Sequence, residues 1–463
     1  MLNNIKKITL ILFVLLFAFS AAAFAFDGGS FYAEEEETQT TIIGEIKPEI
    51  RVFDDGDLEE NLSGQLDISY PGSSHSFQMI TDFQIGAAEE IEFNELNYQY
   101  FGDKYNFLIG KHRVIWGKGD QLHVVDNLNP EDLSDFYNPD YKDRQIGEEM
   151  IKIDRYFRNG NANLEFIYTP DFEGHRLAED PDSPLGNWII NPFADKISMA
   201  ALKSATNYSE AEIINQVEAQ VKEEEQQFGL RFTDTRAGTD YGFSYYRGYL
   251  REPSYDPSAF SSASKKSFKN NTAAQNRQLF KQLLAAADLH YDQVDVFGFE
   301  MARVIASVNS RFELAYYNTD DSSGNDPAVR NNKIAWVIGG DRDLPVSNLN
   351  LNIQFTGQKI LDDDQIEANG ASDLQYNSAG DYTTNRAVVK LEDSYQNEKI
   401  IPQLTWVYNL TEHDYSLEAA LEYELKQDLV LEFSHKIFSG DQNTDFGQFE
   451  DNDYTAAVLS YNF

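Results

Sequence analysis

The 463-residue chain contains no cysteine and has few methionines and prolines, 5 and 13 respectively. The absence of cysteine excludes disulfides, thiol catalysis and cysteine-ligated zinc or iron–sulfur sites. Basic residues are also scarce, with 37 Lys and Arg against 77 Asp and Glu, a net charge of −40. Nucleic acid is therefore excluded as a natural partner, because phosphates are bound by Lys and Arg that displace their counterions.

Long apolar runs are absent after residue 25, so no transmembrane helix is predicted. The first residues combine a Lys6-Lys7 pair, an apolar run over residues 8–19 and the triplet Ala23-Phe24-Ala25. This arrangement is typical of a secretory signal peptide with a small-x-small cleavage site. We expect a cleaved signal peptide over residues 1–25, in preference to a membrane anchor, and then an acidic tail over residues 26–40. A soluble secreted protein and an outer-membrane barrel remain as alternatives.

Aromatic residues are abundant, with 32 Phe and 26 Tyr, and many segments alternate between apolar and polar residues. In residues 42–52 one face carries Ile42, Ile46, Ile50 and Val52, and the other face carries four charged residues: Glu45, Lys47, Glu49 and Arg51. Similar alternation recurs in residues 62–70, 349–356 and 415–424. Each segment has about ten residues, the length of a tilted strand that crosses a bilayer. The repetition favours a barrel over a soluble sandwich, since no helical core pattern competes.

The segments predict eighteen strands, with sixteen as the alternative. They are placed at residues 41–53, 61–70, 75–85, 92–101, 105–116, 147–157, 161–169, 227–235, 240–250, 293–304, 309–318, 332–342, 348–360, 384–392, 398–409, 414–425, 428–438 and 453–463. Every second connection is a tight turn, whereas the others include long loops at 117–146, 170–226, 251–292 and 361–383. Short turns at one rim and long loops at the other are typical of outer-membrane barrels. We therefore expect an all-β chain: one antiparallel up-and-down transmembrane barrel over residues 41–463, with periplasmic turns and extracellular loops.

The last predicted strand has an unusual end. One of its faces carries Thr455, Ala457, Leu459, Tyr461 and Phe463, and the sequence ends at that phenylalanine. An exposed apolar edge of this kind invites aggregation in a soluble protein. In this feature the sequence resembles bacterial outer-membrane β-barrels. The resemblance implies that Tyr461 and Phe463 are an assembly signal for the barrel assembly machinery, and that outer-membrane lipid surrounds the barrel.

A narrower resemblance lies within residues 91–144. The motif Ile109-Gly110-Lys111-His112-Arg113-Val114-Ile115-Trp116-Gly117 precedes Asp126-Asn127-Leu128-Asn129-Pro130. Both are similar to motifs of a porin-like family that is distantly similar to alginate-export-type porins. The resemblance implies an 18-stranded channel with a loop that folds inward after Gly117. Alginate-type channels use a basic lumen for a polyanion, and the acidic composition of this chain argues against such a cargo.

Two interpretations of residues 111–146 stay open. In the first, Lys111 and Arg113 face an infolded acidic loop and form a constriction with a transverse electric field. In the second, the loop lies outside, and Asn129-Pro130 and Asn138-Pro139 only make turns. The alternation does not decide which face of this strand lines the lumen, because Val114 and Trp116 share a face with His112.

Other motifs are weaker. Residues 209–221 combine a capping box with apolar residues at helical spacing, and residues 273–290 also predict an amphipathic helix. Such helices either plug, gate or cap the pore or are plain structured loops. Partial calcium-loop patterns occur at Asp441-x-Asn443-x-Asp445, at 320–326 and at 362–364, but each lacks the full motif. We expect no metal and no cofactor.

No spacing of histidines, serines or glycines matches a catalytic motif, so an enzyme is not expected. The predicted function is an outer-membrane channel for passive diffusion of small hydrophilic solutes, with a preference for cations or neutral solutes. The predicted pore-lining residues are Glu45, Lys47, Glu49, Arg51, Lys111, Arg113, Glu418, Glu422 and Glu424. One alternative is a surface-structural or adhesive barrel with a blocked lumen. Another is the outer-membrane component of a hydrophobic-compound export system, which predicts an apolar patch inside the lumen. Assembly into a homo-oligomer is left open.

Overall fold

The computed structural model describes residues 40–85, 89–120, 122–135, 141–177, 199–221, 224–260, 268, 271–368, 379–442 and 444–463. The predictions for the signal peptide, for the tail as far as residue 39, for Asn138-Pro139 and for Asn443 lie outside these residues. None of the helices within these ranges has the length and apolar character that a membrane crossing requires.

Eighteen antiparallel strands form one closed sheet, in which each strand pairs with its chain neighbours and the last pairs with the first. They are β1 Thr41–Phe53, β2 Leu58–Pro71, β3 His75–Ile85, β4 Glu89–Phe101, β5 Tyr105–His112, β6 Glu148–Phe157, β7 Ala162–Asp171, β8 Glu225–Arg236, β9 Thr239–Tyr249, β10 Gln293–Ile305, β11 Val308–Thr319, β12 Lys333–Asp343, β13 Asn350–Ile360, β14 Thr383–Glu392, β15 Ile400–Asn409, β16 Tyr415–Lys426, β17 Leu429–Ser439 and β18 Tyr454–Asn462. All eighteen predicted strands are confirmed, and the alternative of sixteen is wrong. The largest shift is in β5, which ends at His112 instead of residue 116.

Helices occur in the connections between strands. They are α1 Tyr141–Arg144, α2 Met199–Thr206, α3 Glu210–Glu218, α4 Ala273–Ala287 and α5 Asp363–Ala368, and 3-10 turns lie at Arg158–Gly160, Pro257–Phe260 and Gly447–Asn452. Asp132–Leu133 and Arg176–Leu177 add a short parallel pairing between two loops. The capping box predicted at Ser209 is confirmed at the start of α3, and Thr272 caps α4 in the same way.

Alternation places successive residues of a strand on opposite sides of the barrel wall. On β1, the side chain of Ile50 is 47% exposed on the outside, whereas its neighbour Arg51 is 6% exposed and points inward. Phe355 and Phe433 are likewise exposed on the outer face, while the adjacent Gln354 and Ser434 are buried. The apolar outer face is the surface that lipid requires, and the polar side chains are directed into the lumen.

The connections at the two rims differ as predicted. The rim that holds both ends of the barrel has only short connections, of which 393–399 is the longest. Between β10 and β11, Ala306 and Ser307 both have positive φ, the geometry that a two-residue hairpin turn needs. The opposite rim carries the long connections 113–147, 172–224 and 250–292.

The barrel closes where β1 meets β18. Gly44 and Phe463 exchange two backbone hydrogen bonds of 2.9 Å each. A Cβ atom on residue 44 would lie 2.2 Å from the tip of the Phe463 ring, so a larger residue there would require the ring to move from its place at the seam. The rings of Tyr461 and Phe463 stack with centroids 6.0 Å apart.

Candidate functional site

The chain leaves the barrel wall after β5 and enters the lumen as the segment 113–135, which we call the inner loop. Asn129 fixes the point of departure, since its Oδ1 accepts the backbone N–H of Val114 at 2.8 Å and its Nδ2 donates to the carbonyl of Ile146 at 2.8 Å. The backbone N–H of Val114 is thereby bonded to Asn129 and does not continue the hydrogen-bond ladder of β5. The infolding that the resemblance implied is confirmed, and it begins at Arg113, before Gly117.

An apolar face of the inner loop packs on an apolar patch of the barrel's inner wall. Trp116, Val125 and Leu128 are each at most 1% exposed. Their partners come from the inward-facing positions of β5–β12: Leu108, Met150, Ile167, Tyr246, Val294, Val296, Ala315, Tyr317, Ala335 and Val337. Burial of this apolar surface keeps the loop inside the lumen.

One wall carboxylate, Glu313 on β11, binds the turn of the inner loop. Its oxygens accept backbone N–H bonds from Lys118, Gly119 and Val124 at 2.6, 2.7 and 2.8 Å, and Nδ1 of His123 lies 3.1 Å away. A carboxylate that accepts several N–H bonds stabilises the donors of an otherwise unpaired turn. Glu313 therefore acts as the main polar anchor of the loop.

Ion pairs at both ends of the inner loop show how far it reaches. Asp120 lies 2.7 Å from Arg311 of β11 and accepts a 2.6 Å hydrogen bond from Asn352 of β13. Asp135 lies 2.6 Å from Arg51 of β1. These contacts connect residue 120 of the inner loop to β11 and β13, and residue 135 to β1.

Burial also shapes the chemistry of the loop's own carboxylate, Asp126. Desolvation raises the pKa of Asp126 to about 7, although His123 and the Tyr141 hydroxyl, 3.1 Å away, oppose the shift. Burial alone would lower the pKa of His123, but the hydrogen bond and charge of Glu313 raise it. The ionisation state of Asp126 therefore changes near neutral pH.

A chamber of about 430 Å³ lies between the inner loop and the barrel wall. Residues of β1–β4 and β16–β18 line one side of it, and Arg113, Asp135, Arg144 and Arg176 line the other. Its charged side chains are nine carboxylates and five basic groups, counted over the lining residues. A cavity of this size holds a small solute, and its charged lining suits polar molecules.

The predicted pore-lining residues fall into two groups. Six of them line the chamber: Glu45, Lys47, Glu49, Arg51, Arg113 and Glu418. The other three lie outside it, where Lys111 is 2.9 Å from Glu92, Glu422 accepts a 2.7 Å bond from Gln403, and Glu424 pairs with Val430 across the strands. Lys111 shares the face of β5 that carries the exposed Ile109, and its ammonium group reaches back to Glu92.

The charge pairing differs from that of the first interpretation of residues 111–146, in which Lys111 and Arg113 face the acidic loop. Lys111 and Arg113 pair with Glu92 and Glu95, two carboxylates of the neighbouring strand β4, at 2.9 and 3.1 Å. The loop carboxylates that contact the wall are bound by other arginines. The reason is geometric: β4 lies beside β5 in the sheet, so its carboxylates are nearer to these two bases than the turn of the loop is.

Sequence reasoning missed several members of the site. Arg144 pairs with Glu131 at 3.0 Å, and Arg176 bridges Glu92 and Asp132 at 2.8 and 3.0 Å. They come from loops, where no alternation marks the lumen side. Glu432 also lines the chamber. The alternation of residues 429–438 predicts that Glu432 faces the lumen, since Glu432 lies between the outward-facing Leu431 and Phe433.

The helical loops form a cluster of their own. Residues of α2, α3 and α4 pack together through Leu202, Ile213, Phe280 and Leu284. Arg277 of α4 donates to the carbonyl of Thr206 at 2.8 Å and stacks on Tyr208. These helices bury their apolar faces against one another, as structured loops do.

The partial calcium motifs have structural roles in the described chain. Asp321 accepts backbone N–H bonds from Ser323, Gly324 and Asp326, and so organises a turn. Asp445 pairs with Arg386. Within the described ranges, no group of three or more potential ligands converges on a metal position.

Known proteins were compared with the chain. A family model described as "Protein of unknown function (DUF1302)" matches residues 91–463. No curated protein sequence matches the chain significantly. Among solved structures, Pseudomonas aeruginosa OccD3 (OpdP) is 9% identical with a TM-score of 0.48, covering 94% of this chain and 93% of its own. Acinetobacter baumannii OccAB3 is 8% identical with a TM-score of 0.47, covering 91% and 98%. Wzi of Escherichia coli, an outer membrane protein involved in group 1 capsule assembly and a carbohydrate-binding β-barrel, is 9% identical with a TM-score of 0.49, covering 92% and 85%.

Proposed function

We propose that this chain, which belongs to the DUF1302 family, is an outer-membrane channel for passive diffusion of small hydrophilic solutes and prefers cations and neutral molecules. The observation that carries the proposal is the chamber between the inner loop and the wall formed by β16–β18 and β1–β4. It lies inside a closed barrel and is lined by charged and polar side chains. Transport through it has no covalent step, and selectivity depends on bore and lining charge.

The apolar part of the lumen is not open to solutes. The patch on β5–β12 is covered by Trp116, Val125 and Leu128 of the inner loop. A route for hydrophobic compounds would need this surface to be exposed. The covering loop therefore favours hydrophilic solutes over the alternative of hydrophobic-compound export.

The charge of the lining supports a preference for cations. Nine carboxylates and five basic groups line the chamber. An excess of negative charge in a cleft with low-dielectric walls raises the local concentration of cations and repels anions. Neutral solutes pass such a field without a large penalty, since they carry no net charge.

The two ends of the chain have proposed roles in export and assembly. We propose that the N-terminal 25 residues are removed on export and that Tyr461 and Phe463 present the last strand to the barrel assembly machinery. The support is the seam itself, where Phe463 pairs with Gly44 on the first strand. Closure at this point removes unpaired backbone groups, each of which costs several kcal/mol in lipid.

Conductance of the purified barrel in a planar lipid bilayer tests the channel function. We expect stable single-channel steps in potassium chloride, and larger steps after deletion of residues 118–127, the middle of the inner loop. A barrel that remains folded but gives no conductance, with or without the deletion, would favour a structural or adhesive role.

A further inference from the structure

The basic groups of the chamber are all neutralised by partners. Each lies within ion-pair distance of a carboxylate: Lys47 with Glu45 at 2.8 Å, Arg51 with Glu49 at 2.7 Å, Arg113 with Glu95 at 3.1 Å, Arg144 with Glu131 at 3.0 Å and Arg176 with Glu92 at 2.8 Å. Paired in this way, these bases offer little net attraction to an anionic solute.

Glu432 of β17 differs from the other acids of the chamber. Glu418 on the adjacent strand is held by Lys436 at 3.3 Å, but Glu432 forms no hydrogen bond or ion pair with any residue in the described ranges. Its cross-strand partner on β16 is another acid, Glu422. Like charges directly opposite each other on a sheet are destabilising, so a cation between them would be favourable.

The surroundings of Glu432 are acidic as well as partly apolar. Three carboxylates, Glu422, Glu418 and Glu49, and one ammonium group, Lys47, act on it electrostatically. On the other side its cross-strand partner is Val458 of β18, which lines the chamber together with Ala456. A carboxylate next to aliphatic side chains suits a ligand that joins a positive group to a short hydrocarbon body.

A divalent metal ion does not fit this position. Metal ions of this kind need several oxygen ligands at about 2.0–2.6 Å. Over the part of the chain that the structure describes, no set of three or more acidic or histidine side chains converges closely enough. An organic cation needs only one charge-assisted hydrogen bond and contact along its body.

We propose that Glu432 is the specificity-determining residue of a chamber subsite for small organic ammonium ions, in which its unpaired carboxylate binds the ammonium group and Val458 and Ala456 contact the hydrocarbon. This inference rests on the proposed function, because it assumes that cations pass through the chamber. Binding to the subsite can nevertheless be measured whether or not the barrel conducts.

Isothermal titration of the purified full-length barrel in detergent, at low ionic strength, tests the subsite without requiring conductance. The probe is n-butylammonium, and n-butyrate and n-butanol have the same body with the opposite charge or none. We expect n-butylammonium to bind most tightly. Glu432→Gln should weaken that binding by about tenfold, the effect of losing a charge-assisted hydrogen bond.

Two further variants separate the subsite from bulk charge and from misfolding. Glu398→Gln removes one negative charge at an exposed turn far along the chain and should leave n-butylammonium affinity unchanged. Glu432→Asp keeps the carboxylate and should retain most of the binding. Equal affinity in the wild type and Glu432→Gln, equal losses in Glu432→Gln and Glu398→Gln, or tighter binding of n-butyrate would each overturn the proposal. Absence of conductance with intact binding would instead contradict only the channel function.

Discussion

Nδ1 of His123, in the inner loop, lies 3.1 Å from Oε1 of Glu313, a wall residue 190 positions later in the sequence. The same carboxylate accepts three backbone N–H bonds from the loop, and its side chain has no solvent exposure. The lumen is therefore partly filled by a segment whose turn is bound to the barrel wall by one buried acid.

Substitution of Glu313 should loosen the inner loop. In Glu313→Ala three buried N–H groups lose their acceptor, and each such loss costs about 1–3 kcal/mol. We expect larger and noisier single-channel conductance than in the wild type. Glu313→Gln keeps one carbonyl oxygen as an acceptor and should give an intermediate result. Identical traces for the alanine variant and the wild type would show that Glu313 does not hold the loop.

The inner loop should be held less firmly as pH rises. The folded protein retains the proton of Asp126 up to a pKa of about 7, whereas an unfolded Asp loses it near 3.9. Folding therefore takes up a proton between these values, and the loop's stability falls as pH rises from about 4 to about 7. The raised pKa of His123 acts in the same direction, since its contribution is lost as pH rises through the folded value.

Current noise measured between pH 5 and pH 8 checks this dependence. Noise should increase with pH in the wild type, and Asp126→Asn should reduce the increase because asparagine cannot ionise. The remaining slope is expected from His123. Noise that falls with pH, or that is unaffected by Asp126→Asn, would contradict the role of Asp126.

The sequence predicts the features that depend on neighbouring residues and does not predict those that depend on contacts between residues far apart in the chain. Strand positions and faces follow from local alternation, and this alternation alone places Glu45, Lys47, Glu49 and Arg51 on one face of β1. The end of β5 was misplaced because residues 113–116 continue its alternation, and only the distant Asn129 diverts them. The partners of the inner loop, such as Glu313 and Arg311, lie on strands about 190 residues away, and no local pattern links them to the loop.

The buried Arg251 joins two long loops to the barrel rim. Its guanidinium contacts Glu148 at 2.8 and 3.1 Å, the carbonyl of Leu128 at 2.6 Å and Gln227 at 2.9 Å. Arg251→Met should destabilise the barrel by about 3–5 kcal/mol, because Glu148 is then a buried and unpaired charge.

The double variant Arg251→Met/Glu148→Met is the matched comparison. Removing both charges leaves no unpaired charge, so part of the stability should return, although the carbonyl of Leu128 and the side chain of Gln227 still lose the donor that Arg251 supplies. The measurement is the temperature at which the folded band disappears on a semi-native gel. A double variant less stable than Arg251→Met alone would contradict this explanation.

Changes at the seam between β1 and β18 should impair assembly of the barrel. Gly44→Val places a Cβ where the Phe463 ring lies, 2.2 Å from its nearest atom, and deletion of Phe463 removes the ring together with two backbone hydrogen bonds. We expect both variants to reach the periplasm but to yield little heat-modifiable barrel in the outer membrane. Gly56→Ala, at a turn with open space around it, is the control for expression, although its positive φ makes a small loss of stability expected. Normal barrel levels after both seam changes would rule out closure at this pair.

The zero-current potential across a bilayer with a salt gradient tests the central claim most directly, because it reports the sign of the charge that governs passage. The chamber's nine carboxylates against five bases predict cation preference at low salt, fading towards about 1 M, where the screening length falls to about 3 Å. A potential that indicates anion preference at low salt would contradict the acidic chamber and assign the filter to its arginines.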